Sequence, residues 1–473
     1  MEDMIIVIAA VPYVDTAEPI MAPALLKATL TAHKIDSIAI DLNIEIINRI
    51  QHHPEKQKIL DFFFSQIIHP EVIDEITEII EYCANRIAKL NPDIIALSLL
   101  IYSCQIFTRW LCAKLRQLCP TAKIVIGGTG IKNFIATDDN SCCEQLKELN
   151  LIDDYICGDG DISFYEYVAG NYLYPGINST VWQTVSNLNN VPFPDYSDYN
   201  FQLYESKVIP INDSRGCIKN CEFCDIIEHW KKYQFRTADN MFEEMLLQIK
   251  NYHIARFTFR SSLVNGNMKE FKKLLDLISN YNSNKDKLNQ ISWDGYFIIR
   301  APNYHPEELW SKLNQSNGTI HLGVESVISE VRHGLGKTFE NDDIIYHLEM
   351  GKKYNVPLAL LIIVGYPTET LADFEFTKNW FRSIKEYANN SVKFVSLSFA
   401  SILPGTELHR KSNEYGIKKG KLPSIWINQN LNITSKQRLD YLVELENICR
   451  NECNFNCATS AQTIEHTVDD ELY

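Results

Sequence analysis

Up to about residue 160 the hydrophobic positions follow two alternating rhythms. Short β-branched runs at 5–11, 37–40, 94–100, 123–126 and 155–156 are separated by longer segments at 22–32, 70–90 and 107–118 whose apolar residues recur at helical spacing. Several of the short runs are apolar throughout, as strands buried on both faces are, and the longer segments suit the helices that cover them. The pattern predicts an α/β chain that opens with a doubly wound, Rossmann-like parallel sheet over residues 1–170. Folds of this kind bind ligands in the crevice at the carboxyl ends of their strands. Across 171–205 the rhythm breaks into Pro, Asn, Ser and Asp, among them Pro192, Pro194, Asp195 and Asp198, and reads as a linker. A second alternation fills 206–408, with strands expected at 208–212, 256–259, 291–299, 319–324, 359–364 and 394–400. Six strand-helix units predict a partial (β/α)6 barrel with its active site at the strand carboxyl ends. The remainder, 409–473, reads as a small helical segment, with a helix at 435–452 and a polar tail.

Composition narrows the partners. The 473 residues are 45% hydrophobic and 22% charged, enough apolar surface for a sizeable core. Lys and Arg number 45 against 60 Asp and Glu, a net charge of −15 that repels phosphate backbones and anionic lipid. Nucleic acid is therefore not expected as a partner. The longest apolar runs, 5–14 and 357–364, fall short of the ~18 residues of a spanning helix, so no membrane association is expected. The opening Met1-Glu2-Asp3-Met4 lacks the basic start of an export signal, and the expected location is cytoplasmic. Thirteen cysteines, an odd number, then point to reduced thiols and metal ligation rather than a disulfide framework.

The most informative segment is Asp213-Ser214-Arg215-Gly216-Cys217-Ile218-Lys219-Asn220-Cys221-Glu222-Phe223-Cys224-Asp225. Its CxxxCxxC spacing puts three thiols within eight residues, directly after a predicted buried strand. Such a loop can supply three ligands to a cubane cluster and leave the fourth iron without a protein ligand. The alternatives are a structural zinc, for which His229 is the only local fourth ligand, and unliganded buried thiols.

At this point the chain resembles the radical S-adenosylmethionine (SAM) superfamily over about residues 206–408. The resemblance implies a 4Fe-4S cluster on Cys217, Cys221 and Cys224, with SAM chelated by the open iron and cleaved by one electron to a 5′-deoxyadenosyl radical. It implies an adenine-side aromatic at Phe223, a ribose contact at Glu325 in Gly323-Val324-Glu325-Ser326, and a backbone contact to adenine at Gly365 in Ile363-Val364-Gly365-Tyr366-Pro367-Thr368-Glu369. Arg300, ending the third strand, is a candidate partner for the SAM carboxylate or for a structural ion pair. Leu403-Pro404-Gly405-Thr406 resembles the turn after the sixth strand. One departure is visible: Phe259-Arg260-Ser261-Ser262 follows the second strand, where relatives often carry an acid.

The amino-terminal region resembles the cobalamin-binding subfamily, through a strand ending at Pro12, the helix start Ala22-Pro23, Asp41, Gly127-Gly128 and Gly158-Asp159-Gly160-Asp161. Glycines at strand ends admit either a large planar ligand or another backbone. No Asp-x-His-x-x-Gly segment is present, and Thr129-Gly130-Ile131-Lys132 lacks a His. A corrin would therefore rest on Pro12, 99–103 and Gly127-Gly128 without a histidine on cobalt, and Tyr13, Tyr102 and Ser103 would offer hydroxyls to its amides. Cys449, Cys453 and Cys457 recur every fourth residue and would share one face of a continued helix; Cys142 and Cys143 carry no expected role. The resemblance implies methylation of an unactivated carbon of a small-molecule or peptide substrate, with an electron donor such as flavodoxin or ferredoxin. The rival readings are a cobalamin-independent radical epimerase or rearrangement enzyme and a non-catalytic Fe-S or cobalamin sensor.

Overall fold

The computed structural model describes residues 4–13, 18–131, 142–388, 391–420 and 423–459. The chain divides into two compact units, Met1–Pro210 and Ile211–Tyr473.

The first unit is built on a five-stranded sheet of β1 (Ile6–Ala10), β2 (Ile38–Asp41), β3 (Ile94–Ser98), β4 (Lys123–Gly127) and β5 (Asp154–Ile156), in the order β2-β1-β3-β4-β5 with every pairing parallel. Successive residues of β1 feed separate cores: Val7 and Ala9 join Ile40, Leu97 and Ile126 on one face, and Ile6 and Ile8 join Ala96, Val125 and Phe164 on the other. Two covered faces explain why these strands read as unbroken apolar runs. Helices Met21–Ala32 and Gln105–Leu118 fall where the periodicity puts them. The acidic stretch begins as a 3-10 turn and continues as Ile73–Ala88, which buries Ile76, Ile79, Ile80, Cys83 and Ile87 along one stripe. Helices Leu42–Ile50 and Lys56–Ser65, which the periodicity did not mark, lie between β2 and that stretch. Asp41 caps the first of them through Ile44 N and also accepts from Ile20 N and the Tyr204 hydroxyl.

The polar stretch read as a linker is fastened to the first unit. Lys27 Nζ bonds Ser197 and Asp198, Asp198 also accepts from Ala39 N, and the Tyr199 hydroxyl donates to the Ile20 carbonyl.

In the second unit a curled seven-stranded half-barrel runs in the order β16-β13-β12-β11-β10-β9-β6. It comprises β6 (Ile209–Ile211), β9 (Arg256–Phe259), β10 (Ser292–Phe297), β11 (Gly318–Glu325), β12 (Leu358–Val364), β13 (Val392–Phe399) and β16 (Cys457–Thr459). The six predicted strands are present, and the carboxyl-terminal segment is more than helical. After the hairpin β14 (Ile417–Lys419) and β15 (Trp426–Asn428) and the helix Ser435–Asn447, β16 adds a seventh strand parallel to β13. The run 457–459 is too short to carry a period of its own. Burial alternates strictly along β10 and β11, so one face packs under helices while Asp294, Tyr296, His321 and Glu325 on the other keep some solvent access. A closed barrel would fill that interior with side chains; here the strand order runs from β16 to β6 without closing.

The final helix does not run on in register. It ends at Asn447, a π turn covers Ile448–Glu452, and Cys457 lies on β16, so Cys449, Cys453 and Cys457 do not share one helical face as expected. All three are buried, Cys453 Sγ facing the Phe381 carbonyl at 3.5 Å and Cys457 in register with Val395 midway along β13. Among the described residues no helix is long and apolar enough to cross a membrane.

Candidate functional site

The three-cysteine loop leaves the end of β6 and is closed at its neck. β7 (Ser214–Arg215) pairs antiparallel with β8 (Gln234–Phe235), so residues 216–233 form one loop on a two-rung base. Gly216 turns the chain into the loop at φ +78, and a Cβ there would stand 2.7 Å from the Lys232 carbonyl oxygen. Ser261 Oγ accepts the N–H groups of Asp213 and Ser214, both at 3.1 Å, and so fixes the strand exit. Ser261 of Phe259-Arg260-Ser261-Ser262 thus anchors backbone at the strand exit.

Glu222, a spacer in the motif, ties the loop to the rest of the half-barrel. Its carboxylate accepts the Tyr366 and Tyr415 hydroxyls at 3.0 and 2.9 Å and Lys411 Nζ at 2.6 Å. Its backbone N–H donates to Leu335 O, and its carbonyl accepts Leu408 N. No periodicity or motif marks this residue; only the tertiary contacts reveal it.

Cys221 is buried, and Cys217 and Cys224 are half-buried. Burial pushes the Cys224 thiol up to about 12 and raises Cys221 as well, while Lys337 works against the rise at Cys221. Metal ligation needs thiolates, so a cation beside the loop favours it. Lys337 follows Gly336, whose φ is +88 and whose Cβ would stand 3.0 Å from Asn220 O in the loop. Lys337 Nζ is 3.0 Å from Glu325 Oε1, with only 11% and 12% of the two side chains exposed. Burial works against the Lys337 charge, but Glu325 and the Cys221 and Cys217 thiols prevail and raise its pKa. A lysine directly after Gly334-Leu335-Gly336 was a weak signal, and the sequence reading passed over it.

The donor set suits a cluster that leaves one iron open. His229, the candidate fourth ligand for zinc, is buried with Nδ1 2.9 Å from its own turn's Asp225 carbonyl. Among the described residues no group of three His, Cys, Asp or Glu side chains converges on a single-ion site. Three thiols on one loop, beside a lysine, match in number the cysteines that a cluster with one open iron needs.

The other predicted residues distribute around the strand ends. Phe223 is half-buried in the loop. Glu325 ends β11 in a left-handed conformation at φ +61, with a register shift at Gly323, and this turns its carboxylate toward Lys337. Gly365 has φ +73 and donates its N–H to Glu369 Oε2 at 2.6 Å. A Cβ on Gly365 would stand 2.7 Å from Arg438 Cδ, so the group that approaches this glycine is the arginine stem. Arg438 is buried, its guanidinium 3.6 Å from the Trp426 ring centroid and its Nε and Nη1 without hydrogen-bond partners; burial lowers its pKa to about 9. Glu369 lines a small cavity with Gly365, Trp426 and Arg438, and burial raises it to about 7. Arg300 lies over the Tyr304 ring and reaches Asn265 O at 3.5 Å, without an ion pair among the described residues. The Leu403-Pro404-Gly405-Thr406 segment is a turn: Thr406 caps the short helix Glu407–Arg410.

The open face of the half-barrel carries a polar group that the sequence reading missed. Thr258 Oγ1 donates to Asp294 Oδ1 at 2.9 Å, His321 Nε2 lies 3.7 Å from that oxygen, and the Tyr296 ring meets His321 edge-on. Burial lowers the His321 pKa although Asp294 opposes it. Strand pairing could have flagged these residues, since Tyr296 and His321 are register partners, as are Thr258 and Asp294.

At the carboxyl edge of the first unit the glycines are accounted for by backbone packing. Gly128 has φ +104, and its Cβ would lie 2.2 Å from Leu99 O; Gly158 meets Gln183 in the same way. Gly127 stands in ordinary contact with Ile156. Asp41 is consumed by its helix cap. What remains for a planar ligand is the 99–103 segment, where Leu100 is 40% exposed and the buried Ser103 Oγ has no hydrogen-bond partner. Lys132 and the Tyr102 side chain lie outside the described residues, as does the expected polar tail from 460 onward.

Comparison with known proteins agrees with this geometry. Residues 211–381 match the family described as the Radical SAM superfamily. An uncharacterized methyltransferase of Pyrococcus horikoshii, PH0819, is 22% identical over 72% of this chain and 73% of its own length. The chain spans about half the length of other curated relatives, among them a putative methylthiotransferase of Methanocaldococcus jannaschii. Among solved structures, TsrM from Kitasatospora setae with cobalamin and a 4Fe-4S cluster bound aligns over 92% of this chain and 80% of that one, at a TM-score of 0.64 and 12% identity. The cobalamin-dependent SAM radical enzyme OxsB with aqua-cobalamin bound aligns over 87% of this chain and 56% of its own, at a TM-score of 0.62 and 14% identity. The half-barrel of residues 211–381, with the cysteine loop after its first strand, is thus the part of the chain that matches the Radical SAM superfamily.

Proposed function

We propose that this chain is a cobalamin-dependent radical SAM methyltransferase that methylates an unactivated carbon of a small-molecule or peptide substrate in the cytoplasm. The observation that carries the reading is the CxxxCxxC loop, closed at its neck, backed by Lys337 and placed where the family match begins. A five-stranded doubly wound unit ahead of it, with an orphaned Ser103 hydroxyl at its carboxyl edge, supports the cobalamin part, as does the likeness in fold to TsrM and OxsB.

In this reading Cys217, Cys221 and Cys224 hold the cluster, and Lys337 favours their ionised forms. Lys337 also orients Glu325, whose carboxylate meets the ribose. Phe223 flanks the adenine, and the Gly365 turn, braced by Arg438 and Glu369, presents its backbone to that ring. Arg300 is the cation for the SAM carboxylate. Asp294, Tyr296 and His321 face the substrate from the open side of the half-barrel. Ser103 and the backbone around Gly127-Gly128 would hold the corrin amides. When bound, these groups supply a one-electron cleavage of SAM to a 5′-deoxyadenosyl radical and a carrier for the methyl group.

The test is anaerobic purification with cobalamin in the medium, then mass spectrometry of the SAM products after chemical reduction. The reading expects retained cobalamin and both S-adenosylhomocysteine and 5′-deoxyadenosine. Deoxyadenosine alone, with no cobalamin retained, would instead favour hydrogen-atom chemistry of the epimerase kind, and no SAM cleavage would favour a sensor.

A further inference from the structure

The function proposed above makes no use of Cys449, Cys453 and Cys457, and the fold brings two of them together. After the helix Ser435–Asn447 the π turn Ile448–Glu452 lets the backbone double back. Phe455 N donates to the Cys449 carbonyl at 2.9 Å, and the Arg450 guanidinium reaches forward to the Cys457 carbonyl. Asn456 O accepts Val395 N at 2.8 Å, which seats Cys457 on β16, the edge strand of the half-barrel. Across this fold the Cys449 S–H donates to the Cys457 sulfur, both thiols being free. Cys453 takes no part in that bond; its Sγ faces the Phe381 carbonyl.

The contact sets Cys457 apart chemically. Burial pushes up the thiols of Cys83, Cys104 and Cys119. The hydrogen bond from Cys449 lowers Cys457 instead, helped by the Arg450 charge and opposed by burial and by Glu446. Cys449, as the donor, moves the other way and keeps its proton. A readily ionised thiol beside a second that retains its proton is the arrangement in which one sulfur attacks an oxidant and the other resolves the product.

We propose that Cys449 and Cys457 are a redox-active dithiol, a site that takes a hydroperoxide and ends as a disulfide between the two. The Cys457 thiolate attacks one peroxide oxygen; the O–O bond breaks, and the departing hydroxide takes up the proton that Cys457 released and leaves as water. The Cys449 sulfur then attacks the resulting sulfenic sulfur, and its proton leaves with the displaced hydroxide as a second water. Both thiols are oxidised, the peroxide is reduced, and no other reactant enters. Access comes through β16, which is three residues long and paired on one side only, so that opening of this edge admits a molecule as small as hydrogen peroxide. The disulfide would close the nine residues 449–457 into a ring and tie the edge strand to the end of the helix.

The experiment treats the full chain with hydrogen peroxide, quenches it into denaturant with N-ethylmaleimide, and maps tryptic peptides by mass spectrometry without reduction. Cleavage after Arg438 and Arg450 yields the peptides 439–450 and 451–473, so a bond from Cys449 appears as one joined species. The joined species should form in wild type and in Cys453→Ser, and be lost in Cys449→Ser and Cys457→Ser. In Cys449→Ser, dimedone should trap the sulfenic acid at Cys457, which has lost its resolving partner. Wild type in which peroxide leaves Cys449 and Cys457 open to alkylation would overturn the proposal, whether or not the variants fold. So would a joined species that persists in Cys457→Ser, since the bond would then run to Cys453.

Discussion

Gly216→Ala tests whether the neck of the cysteine loop sets its geometry. The left-handed φ of +78 costs a non-glycine residue about 1–2 kcal/mol. The new Cβ would also stand 2.7 Å from the Lys232 carbonyl oxygen, 3.2 Å from its carbon and 3.3 Å from Trp230 Cβ. Two of these three atoms are backbone two residues from the β7–β8 rungs, so no side-chain rotation relieves them, and overpacking of this kind costs about 1–3 kcal/mol. The lower backbone entropy of the unfolded alanine chain offsets about 0.4–1 kcal/mol. The net is about 1–5 kcal/mol against the closed loop, and since every 1.4 kcal/mol is tenfold, the closed form should lose about one to three decades of population. Gly334→Ala, at the end of the helix Ser329–Gly334 with nothing within 4 Å of its Cβ, is the matched control. The assay is the rate of iron loss from the reconstituted protein to a chelator under anaerobic conditions. Gly216→Ala should release iron at least about tenfold faster than wild type, with Gly334→Ala unchanged. Equal release from all three proteins would refute the idea that the neck holds the loop.

Three further outcomes follow from the same structure. Glu222→Ala strips the buried Tyr366 hydroxyl of its acceptor and should cost about 1–3 kcal/mol, with Glu222→Gln costing less; identical thermal midpoints for all three proteins would contradict this. His305 and His347 are buried and hydrogen-bonded at 2.9 Å, and burial lowers them to about 2 and about 4. Both are neutral in the fold while the unfolded chain takes up protons below about pH 6.5, so stability present above that pH falls as the pH drops, by up to about 1.4 kcal/mol per unit per histidine. Thermal midpoints of wild type between about pH 7 and 5 should therefore fall more steeply than those of His347→Gln, and parallel curves would refute the assignment. Arg438→Met keeps a stem against Gly365 and removes two unpartnered buried nitrogens together with the Nη2 bonds to the Ser424 and Trp426 carbonyls, so it should melt well above Arg438→Ala, which also leaves a cavity and should cost about 2 kcal/mol or more; equal midpoints for the two variants would contradict the packing of the stem on Gly365.

Much of this architecture is written in local pattern. Strands such as β1 and β3, apolar on both faces, and the long helical stripe of Ile73–Ala88 carry their own periodicity, and the observed bounds lie within a few residues of those expected. The cysteine spacing likewise declares itself without tertiary information. What stayed hidden depends on contacts between distant segments. Glu222 reads as a spacer until Tyr366, Tyr415 and Lys411 are folded around it. Lys337 lies 116 residues beyond Cys221, and nothing local says that a left-handed Gly336 brings it back. The glycines at 128 and 365 were legible as close approaches, but a sequence does not say what approaches them: a Leu99 carbonyl in one case and the Arg438 stem in the other. β16 was missed because a three-residue strand draws its existence from its neighbour β13.

The central claim is that Cys217, Cys221 and Cys224 jointly hold a 4Fe-4S cluster that drives SAM cleavage. It is tested most directly by quantifying 5′-deoxyadenosine by mass spectrometry after dithionite reduction of the reconstituted protein with SAM, in wild type and in Cys221→Ala. The account predicts deoxyadenosine from the wild type and none from the variant, along with loss of the cluster's visible absorbance. Equal amounts from both proteins would contradict it.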